Sequence, residues 1–174
     1  MGKGTNRSAF WRGEVDKYNW VDIGSSFLPS EINAAFLNAQ LEELKTIQDK
    51  RRTIWTKYYN GLKSLKNIGV RLPNIPDYAS NNAHMFYLVC RDDKERTNLI
   101  QYMRKNQIHI VFHYICLHDS PYYEDKHDGR KMPNAKRYEE CLVRLPLWVG
   151  LNFKITNFIS EKIQEFYKKS SNFH

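Results

Sequence analysis

Long apolar runs are missing from this sequence, and their absence bears on where the protein works. No stretch reaches the roughly 20 residues that a membrane-spanning helix needs. The opening residues are rich in Gly, Asn and Arg and lack the apolar core of a signal peptide. We therefore expect a cytoplasmic protein that does not span a membrane. Apolar residues still make up 41% of the 174 residues, which is enough for one folded domain with a core.

Cysteine is also scarce. The three cysteines, Cys90, Cys116 and Cys141, are odd in number and far apart, and their spacing does not match a zinc-binding pattern. We interpret them as buried free thiols, and we expect no metal site in this chain.

Familiar catalytic signatures are absent as well. The sequence contains no Gly-rich nucleotide fingerprint, no Walker loop, no Ser-His-Asp candidate and no carboxylate pair suited to acid–base work. Its formal net charge of +8 allows an anionic partner, namely nucleic acid, lipid head groups or a phosphorylated small molecule. The basic residues mostly stand beside acids, which is typical of a solvated surface.

The longest helical pattern of the chain lies in residues 29–66. Pro29 suits the first helical position because its missing N–H would have no partner there, and apolar residues then recur at steps of three or four. About 35 helical residues would span roughly 50 Å, which exceeds the width of a small domain. We expect a long connecting helix that bridges two bodies, bends, or is divided into two helices.

The segment before this helix, residues 1–28, has the pattern of an irregular arm and turn. Aromatic residues and arginines fill it, so we expect it to pack either on its own domain or across a partner subunit or a ligand. Its last part includes Gly24, Ser25 and Ser26, which precede a helix start. Backbone N–H groups and hydroxyls at such a place can hold an anion, although many helices have similar caps and bind nothing.

Residues 67–174 alternate between strand and helix patterns. An apolar, aromatic run over 84–91 predicts a buried strand, and Asp92 with Glu95 predicts the capping box of the next helix. Together the patterns predict a small α+β domain with a mainly antiparallel sheet covered by helices. The next expected elements are a helix over 93–106 with Leu99, Ile100 and Met103 inside, a strand over 108–114 and a loop over 118–133. A short helix capped by Asn134 follows, and then a strand over 142–148 that Pro146 ends or places at an edge. The last helix is capped by Asn152 and has one apolar stripe, formed by Ile155, Ile159, Ile163 and Phe166.

A polar and aromatic cluster, VFHYICLHDSPYY, occupies residues 111–123, which we call the ligand wall. His113 and His118 do not have the i and i+4 spacing of a helical metal pair. Cys116 between them alternates with the polar residues, so we expect it to point inward rather than act as a nucleophile. Tyrosine hydroxyls and imidazoles at a strand end suit the hydroxyls and phosphates of a sugar-like ligand. We expect Tyr114 and His118 to face that ligand and His113 to support the strand end; an ordinary surface loop is the alternative.

Four stretches together resemble a known enzyme family. They are GTNRSAFWRGEVDKYNWVDIGSSFLPSEINAAFLNAQLEEL, NNAHMFYLVCRD, FHYICLHDSPYY and RLPLWVGLN, and the first contains an A-A-x-x-x-x-Q-L pattern at Ala34, Ala35, Gln40 and Leu41. The chain is similar to the C-terminal portion of a DegT/StrS-type sugar-nucleotide aminotransferase. The resemblance is closest to the subgroup that aminates dTDP-4-keto-6-deoxyglucose to dTDP-4-amino-4,6-dideoxygalactose.

The resemblance implies the small domain of a dimeric fold type I enzyme that uses pyridoxal phosphate, a nucleotide-sugar and glutamate, in surface polysaccharide biosynthesis. In this family the large N-terminal domain carries the Schiff-base lysine, and the resemblance covers only the arm, the connecting helix and the small domain. We therefore expect the large cofactor domain to be absent. We nominate no catalytic residue, and we expect the chain alone to bind no cofactor and to be inactive.

Two departures from the family pattern affect the expected site. Leu28 stands where many members have an Asn that reaches the partner's cofactor phosphate, which leaves Ser25 and Ser26 as candidate cofactor-binding residues. Cys116 replaces the proline of the family's loop motif. Substrate binding is expected from the ligand wall, through Tyr114 and His118 with support from His113.

Two other functions stay open on the sequence alone. Interleaved Arg, Trp and Tyr in residues 7–20 suit a stand-alone module that binds an acidic partner such as nucleic acid. The absence of a dense basic stripe counts against that module. A truncated fragment without activity of its own is the other alternative.

Overall fold

A computed structural model describes residues 12–14 and 29–171 of the chain. The chain divides into two compact units, Met1–Leu44 and Lys45–His174. The division falls inside the segment that the sequence predicts to be a connecting helix. The arm residues Ser25 and Ser26 lie outside the described residues.

The first described helix, α1 (Glu31–Glu42), begins at a capped end and buries none of its residues. Ser30 is the cap, because its hydroxyl accepts a hydrogen bond from the Asn33 N–H at 3.3 Å. Its large apolar side chains are exposed, with Ile32 at 81% and Phe36 at 70% of full exposure. A helix with apolar residues on several sides is ordinarily enclosed by protein. The first unit therefore shows a helix whose apolar surface has no cover within the described residues.

Helix α2 (Leu44–Leu62) continues after one non-helical residue, Glu43, and ends in a 3-10 turn over Lys63–Ile68. The expected connecting helix is thus divided into two, which is one of the three arrangements that the sequence allows. Ile54, Tyr58 and Leu62 recur at steps of four and are the buried residues of α2. They anchor the second unit's core.

The sheet has two strands, β1 (Phe86–Val89) and β2 (Leu142–Leu145), paired antiparallel. Both lie inside the predicted strand segments, and the expected small antiparallel sheet is confirmed. Phe86 pairs with Leu145 and Leu88 with Val143, and all four side chains are buried on one face. Pro146 follows β2 directly and ends the strand as predicted, because proline has no N–H to donate.

The strand predicted over residues 108–114 does not form, and only one bridge, Val111 to Arg144, remains of it. The reason lies on β2. A longer strand beside Arg144 would need hydrogen bonds from the backbone N–H groups of Leu142 and Pro146, two residues to either side. The Leu142 N–H is already bonded to the Tyr138 carbonyl at the end of a helix, and Pro146 has no N–H. The hydrophobic alternation of residues 108–114 thus predicts a strand, but the edge of β2 offers only Arg144 for pairing.

Three more helices cover the sheet: α3 (Asp93–Lys105), α4 (Pro133–Cys141) and α5 (Phe153–Ser171). Asp92 caps α3 by accepting from the Glu95 N–H at 2.7 Å, as the capping box predicts. The cap predicted at Asn134 is wrong, because Pro133 takes the first helical position and Asn134 lies inside α4. Asn152 caps α5 through a 2.8 Å bond from the Lys154 N–H, as predicted.

The core joins α2, α3 and α5 with both strands of the sheet. Leu99, Met103, Ile159 and Ile163 are buried as predicted, whereas Ile100 and Phe166 are half-buried at the edge of the core and Ile155 is exposed. Cys90 and Cys141 are buried thiols as expected, but Cys116 is only half-buried. No helix in the described ranges combines the length and apolar character needed to cross a membrane.

Candidate functional site

The ligand wall leaves the sheet at Val111 and forms a surface loop with a short 3-10 turn at Leu117–Asp119, and a second 3-10 turn, Glu124–Lys126, follows it directly. Tyr114 is 81% exposed, and several other large apolar side chains are exposed with it, namely Phe112, Ile115, Leu117 and Tyr122. So much apolar surface on one loop is unusual for a region that meets only water. The loop has the composition of a contact surface.

His113 and Tyr114 lie together at the start of the wall. Their ring centroids are 5.1 Å apart in an edge-to-face arrangement. The His113 Nδ1 atom is buried and has no hydrogen-bond partner. A buried ring nitrogen without a partner costs free energy, so His113 keeps an unused capacity to donate or accept one hydrogen bond.

His118 contacts a second histidine that sequence reasoning missed. Its ring centroid lies 5.1 Å from that of His127, and its Nε2 is 3.5 Å from Asp119 Oδ1. His127 is fixed by a 3.0 Å contact between its Nε2 and the Arg130 carbonyl oxygen. The two histidines are nine positions apart, so only the folding of the loop brings them together. Within the ranges that the structure describes, no three His, Cys, Asp or Glu side chains are placed to hold a metal ion.

Helix α4 holds the wall at two points through Lys136 and Glu139, which we call the α4 clamp. Glu139 Oε2 accepts a 3.1 Å bond from the Cys116 N–H. The Lys136 ammonium donates to Glu139 Oε1 at 3.2 Å and to Asp119 Oδ2 at 2.8 Å. These bonds raise the pKa of Lys136, chiefly through Asp119, and the bond from Lys136 lowers the pKa of Asp119. The pKa of Glu139 is lowered as well, chiefly by its hydrogen bonds with Cys116 and Lys136. Lys136, Asp119 and Glu139 therefore all stay charged at neutral pH.

Cys116 is an unreactive thiol in this setting. Burial, together with a hydrogen bond to Glu139 and its negative charge, raises the pKa of Cys116 to about 11. The thiol is protonated at neutral pH and is a poor nucleophile. The structure places Cys116 at the α4 clamp and not in the hydrophobic core, which corrects the expectation that it points inward.

The described residues do not fit the aldehyde of pyridoxal phosphate. A Schiff-base lysine needs a lowered pKa, which burial ordinarily supplies. No lysine in the described part of the chain is buried, and the pKa values of Lys136 and Lys162 are both raised, by carboxylate partners. What these residues can supply is binding and orientation of a ligand.

Comparison with known proteins adds a family-level match. Residues 2–164 match the model of the DegT/DnrJ/EryC1/StrS aminotransferase family. An uncharacterized protein of Methanocaldococcus jannaschii is 25% identical over 154 residues, a match that covers 83% of this chain and 39% of that protein. The chain thus spans about two fifths of the length of this relative.

Solved structures share the fold. NtdA from Bacillus subtilis, with its cofactor PMP bound, superposes with a TM-score of 0.78 at 19% identity, over 90% of this chain and 36% of that one. DesV from S. venezuelae gives 0.77 at 23% identity, over 87% and 40%. A DegT DnrJ EryC1 StrS aminotransferase from Brucella abortus gives 0.74 at 23% identity, over 92% and 42%.

Proposed function

This chain belongs to the DegT/DnrJ/EryC1/StrS aminotransferase family, and we propose that it is the C-terminal part of an enzyme that aminates a dTDP-4-keto-6-deoxyhexose. Glutamate is the proposed amino donor, and surface polysaccharide is the proposed destination of the amino sugar. The proposed product is dTDP-4-amino-4,6-dideoxygalactose. The enzyme would work in the cytoplasm as a homo-oligomer.

The observation that carries this proposal is that the side chains of the ligand wall are accessible and that the loop carrying them is held in place. Tyr114 is 81% exposed, and the Nδ1 atom of His113 is buried without a hydrogen-bond partner. The α4 clamp holds the loop that carries them. Groups that are held in place bind a ligand at a lower entropic cost than groups that must first be ordered. A fixed row of hydrogen-bonding side chains suits a polar, rigid ligand such as a sugar.

Each wall residue has a proposed role in the intact enzyme. Tyr114 and His118 contact the nucleotide-sugar, because a phenol and an imidazole can both donate to and accept from hydroxyl and phosphate oxygens. His113 supports Tyr114 through the ring contact. The exposed apolar side chains around them exclude water when the wall meets the rest of the enzyme.

The cofactor belongs to the intact enzyme in this proposal. Pyridoxal phosphate, when bound, supplies the electron sink for amino transfer. Ser25 and Ser26 are the proposed contacts of this chain to the cofactor's phosphate. Without a fitting lysine in the described residues, the chain alone is proposed to bind no cofactor.

The test uses a full-length enzyme in which a large cofactor domain precedes this chain. Tyr114→Phe and His118→Ala are each expected to lower kcat/KM for the nucleotide-sugar by about 5- to 100-fold, since one lost hydrogen bond in a closed site costs roughly 1–3 kcal/mol. Tyr78→Phe is the matched control, because Tyr78 is 92% exposed in a different loop. It should leave kcat/KM unchanged.

Cofactor loading and thermal unfolding are measured for the same variants. Both should stay at the wild-type level, because neither side chain is part of the core. Full activity in both wall variants, or a loss of activity that follows a loss of folding, would mean that the wall is structural and that the substrate binds elsewhere.

A further inference from the structure

The second unit contains a cavity of about 610 Å³ that the proposed function does not use. It lies where the turn after α3, the segment after β2 and the first half of α5 meet. Six of its nine lining residues are apolar, and the other three are Asn106, Gln107 and His109. Small-molecule sites usually have volumes of about 300–1,000 Å³ and a mostly apolar lining with a few polar groups. The cavity therefore has the size and the lining of a ligand pocket.

Three large apolar side chains of this cavity, Trp148, Ile155 and Phe158, are uncovered. Ile155 and Phe158 are three positions apart on α5 and so share one face of the helix. They keep 48% and 42% of full exposure, and Trp148 keeps 50%. The next position of the predicted stripe, Ile159, is buried, so the cavity begins where the core packing of α5 ends. A ligand could cover these three side chains and gain the free energy of burying them.

Trp148 is held in place by the turn that follows it. The Leu151 N–H donates to the Trp148 carbonyl at 3.1 Å. A Cβ atom at Gly150 would lie 3.3 Å from the indole Nε1, so glycine allows the indole to approach its own turn closely. An aromatic ring that is already positioned loses less entropy when a ligand packs on it.

The turn after α3 supplies the polar side of the cavity. Gln107 has a left-handed φ of 61°, which glycine usually supplies at the end of a helix. The Gln107 N–H donates to the Arg104 carbonyl and the Ile108 N–H to the Met103 carbonyl, both at 3.0 Å. A glutamine in this conformation costs free energy, but it places a side-chain amide at the cavity. Neither this amide nor the His109 imidazole has a partner within the described ranges.

The lining carries no fixed charge. None of the described lining residues has a carboxylate, an ammonium or a guanidinium group. The Lys162 ammonium lies 5.5 Å from the centroid of the Phe158 ring, but it is bonded to Glu165 at 2.9 Å. The Asn106 amide nitrogen donates to the Tyr102 carbonyl at 2.8 Å, so only its oxygen is available. A charged ligand would lose hydration here without gaining a counter-charge, and a neutral ligand fits better.

We propose that this cavity binds a neutral, planar heteroaromatic molecule. Its ring packs on Trp148 and Phe158 by aromatic contacts, and its polar edge forms hydrogen bonds with the Gln107 amide. That amide offers a donor and an acceptor side by side, which matches a ring that carries both. The site goes beyond the proposed function, because none of its lining residues belongs to the ligand wall.

The test is a titration of the full chain followed by nuclear magnetic resonance. Nitrogen-15-labelled tryptophan gives one indole N–H signal for each tryptophan, and Trp148→Phe identifies the signal of Trp148. Trp55 is the internal control, because its ring packs edge to face on Phe86 in the core. Nicotinamide is the neutral heteroaromatic probe. Nicotinate places a charge on the same ring, and cyclohexanecarboxamide keeps the amide without a planar ring.

Nicotinamide is expected to shift the Trp148 signal saturably and to leave the Trp55 signal unchanged. Nicotinate and cyclohexanecarboxamide should each need at least a fivefold higher concentration for half-saturation. Equal half-saturation by all three probes would overturn the proposed ligand class. The absence of a saturable shift with nicotinamide would overturn the site, and broadening of the Trp148 signal with protein concentration would then assign the cavity to a contact between copies of the chain.

Matched variants separate binding from folding. Phe158→Ala should raise the half-saturating concentration of nicotinamide at least fivefold. Phe153→Ala removes a similarly exposed ring of α5 that does not line the cavity, and it should change that concentration less than twofold. Equal values for the two variants would contradict the site.

Gln107→Gly tests the polar side of the cavity. Glycine adopts the left-handed conformation without strain, so the temperature of thermal unfolding should stay the same or rise. The half-saturating concentration of nicotinamide should nevertheless increase threefold or more. An unchanged concentration would show that the Gln107 amide does not bind the ligand.

Discussion

At the scale of single residues, Tyr58 shows how one hydroxyl joins distant parts of the second unit. The residue is fully buried on α2, and its hydroxyl donates a 2.9 Å hydrogen bond to the Pro146 carbonyl just beyond β2. Burial raises the pKa of Tyr58 above its ordinary value, so the phenol stays a donor. The helix that begins the unit and the end of the sheet are linked by this bond.

Tyr58→Phe should lower the free energy of unfolding by about 1–2 kcal/mol, because the Pro146 carbonyl loses its donor in a buried place. Urea denaturation followed by circular dichroism gives the value, with an unchanged m-value expected. Tyr78→Phe removes the same hydroxyl from an exposed position and should change the free energy of unfolding by less than about 0.5 kcal/mol. Equal effects in the two variants would contradict a stabilising role of the buried bond.

Cys116 offers a pH-dependent prediction at the same scale. Its pKa is raised to about 11 by burial and by Glu139, whereas an ordinary thiol titrates near pH 8.5. Alkylation by iodoacetamide should therefore be slow at pH 8 and rise steadily up to at least pH 9.5, because the thiolate is the reacting form. Peptide mass spectrometry separates its rate from those of the buried Cys90 and Cys141.

Glu139→Gln tests the contribution of Glu139 to the raised pKa of Cys116, which adds to the larger effect of burial. The neutral amide no longer repels the thiolate, so the pKa of Cys116 should fall and its alkylation rate at pH 8 should increase severalfold. The Gln carbonyl can still accept from the Cys116 N–H, which preserves the position of the loop. If Cys116 of the unchanged protein reacted with iodoacetamide at pH 8 as fast as free cysteine does, its pKa would not be raised and the prediction would be wrong.

At the scale of elements, the sequence predicts best where a single side chain or the helical spacing of apolar residues decides the structure. The Asp92 cap, the stop at Pro146 and the buried positions of Leu99 and Met103 on α3 all depend on local chemistry, and the structure confirms them. The strand expected over 108–114 fails because its pairing depends on Leu142, whose N–H is used by α4. The contact between His118 and His127 also could not be predicted, because it requires the path of the loop.

Asp92→Ala should destabilise the second unit by about 1 kcal/mol, since the Glu95 N–H loses its capping acceptor. Asp93→Ala is the matched control, because its carboxylate makes no hydrogen bond or salt bridge among the described residues and it removes the same charge from the same turn. The two variants are compared by thermal unfolding at one pH. Equal losses would assign the effect to the helix dipole instead of to the cap.

At the scale of the whole molecule, α1 is the element that most needs a partner. It is a helix of 12 residues without a buried side chain, and an isolated helix of that length is marginal in water. Its apolar residues lie on more than one side, so a single neighbouring surface would cover only part of them. The proposed homo-oligomer would provide such cover.

The isolated chain should therefore self-associate in a concentration-dependent way, as sedimentation velocity can show. Phe36→Ser and Leu41→Ser, which remove exposed apolar side chains of α1, should shift the distribution toward the monomer. Asn33→Ser changes an exposed polar residue of the same helix and should have no effect. A monomer at high concentration in the unchanged chain would contradict the prediction.

Catalysis is also a property of the whole molecule. The chain alone, mixed with pyridoxal phosphate, should show no absorption band of a protein-bound cofactor and no transamination, because the described residues offer no buried lysine for a Schiff base. Spectroscopy and an amino-transfer assay measure the two outcomes. A borohydride-trapped adduct at one specific lysine would contradict this expectation.

Helix α4 passes into β2 without an intervening loop, since Cys141 ends the helix and Leu142 begins the strand. The Cys141 carbonyl also accepts a 2.8 Å bond from the Cys90 N–H beyond β1. The helix therefore connects two parts of the domain: Lys136 and Glu139 in its middle and last turn hold the ligand wall, and its C-terminal end continues into the sheet. A ligand bound to the wall would act on the sheet through this helix, and we expect it to slow hydrogen exchange at the Cys90 amide, which is bonded to the Cys141 carbonyl.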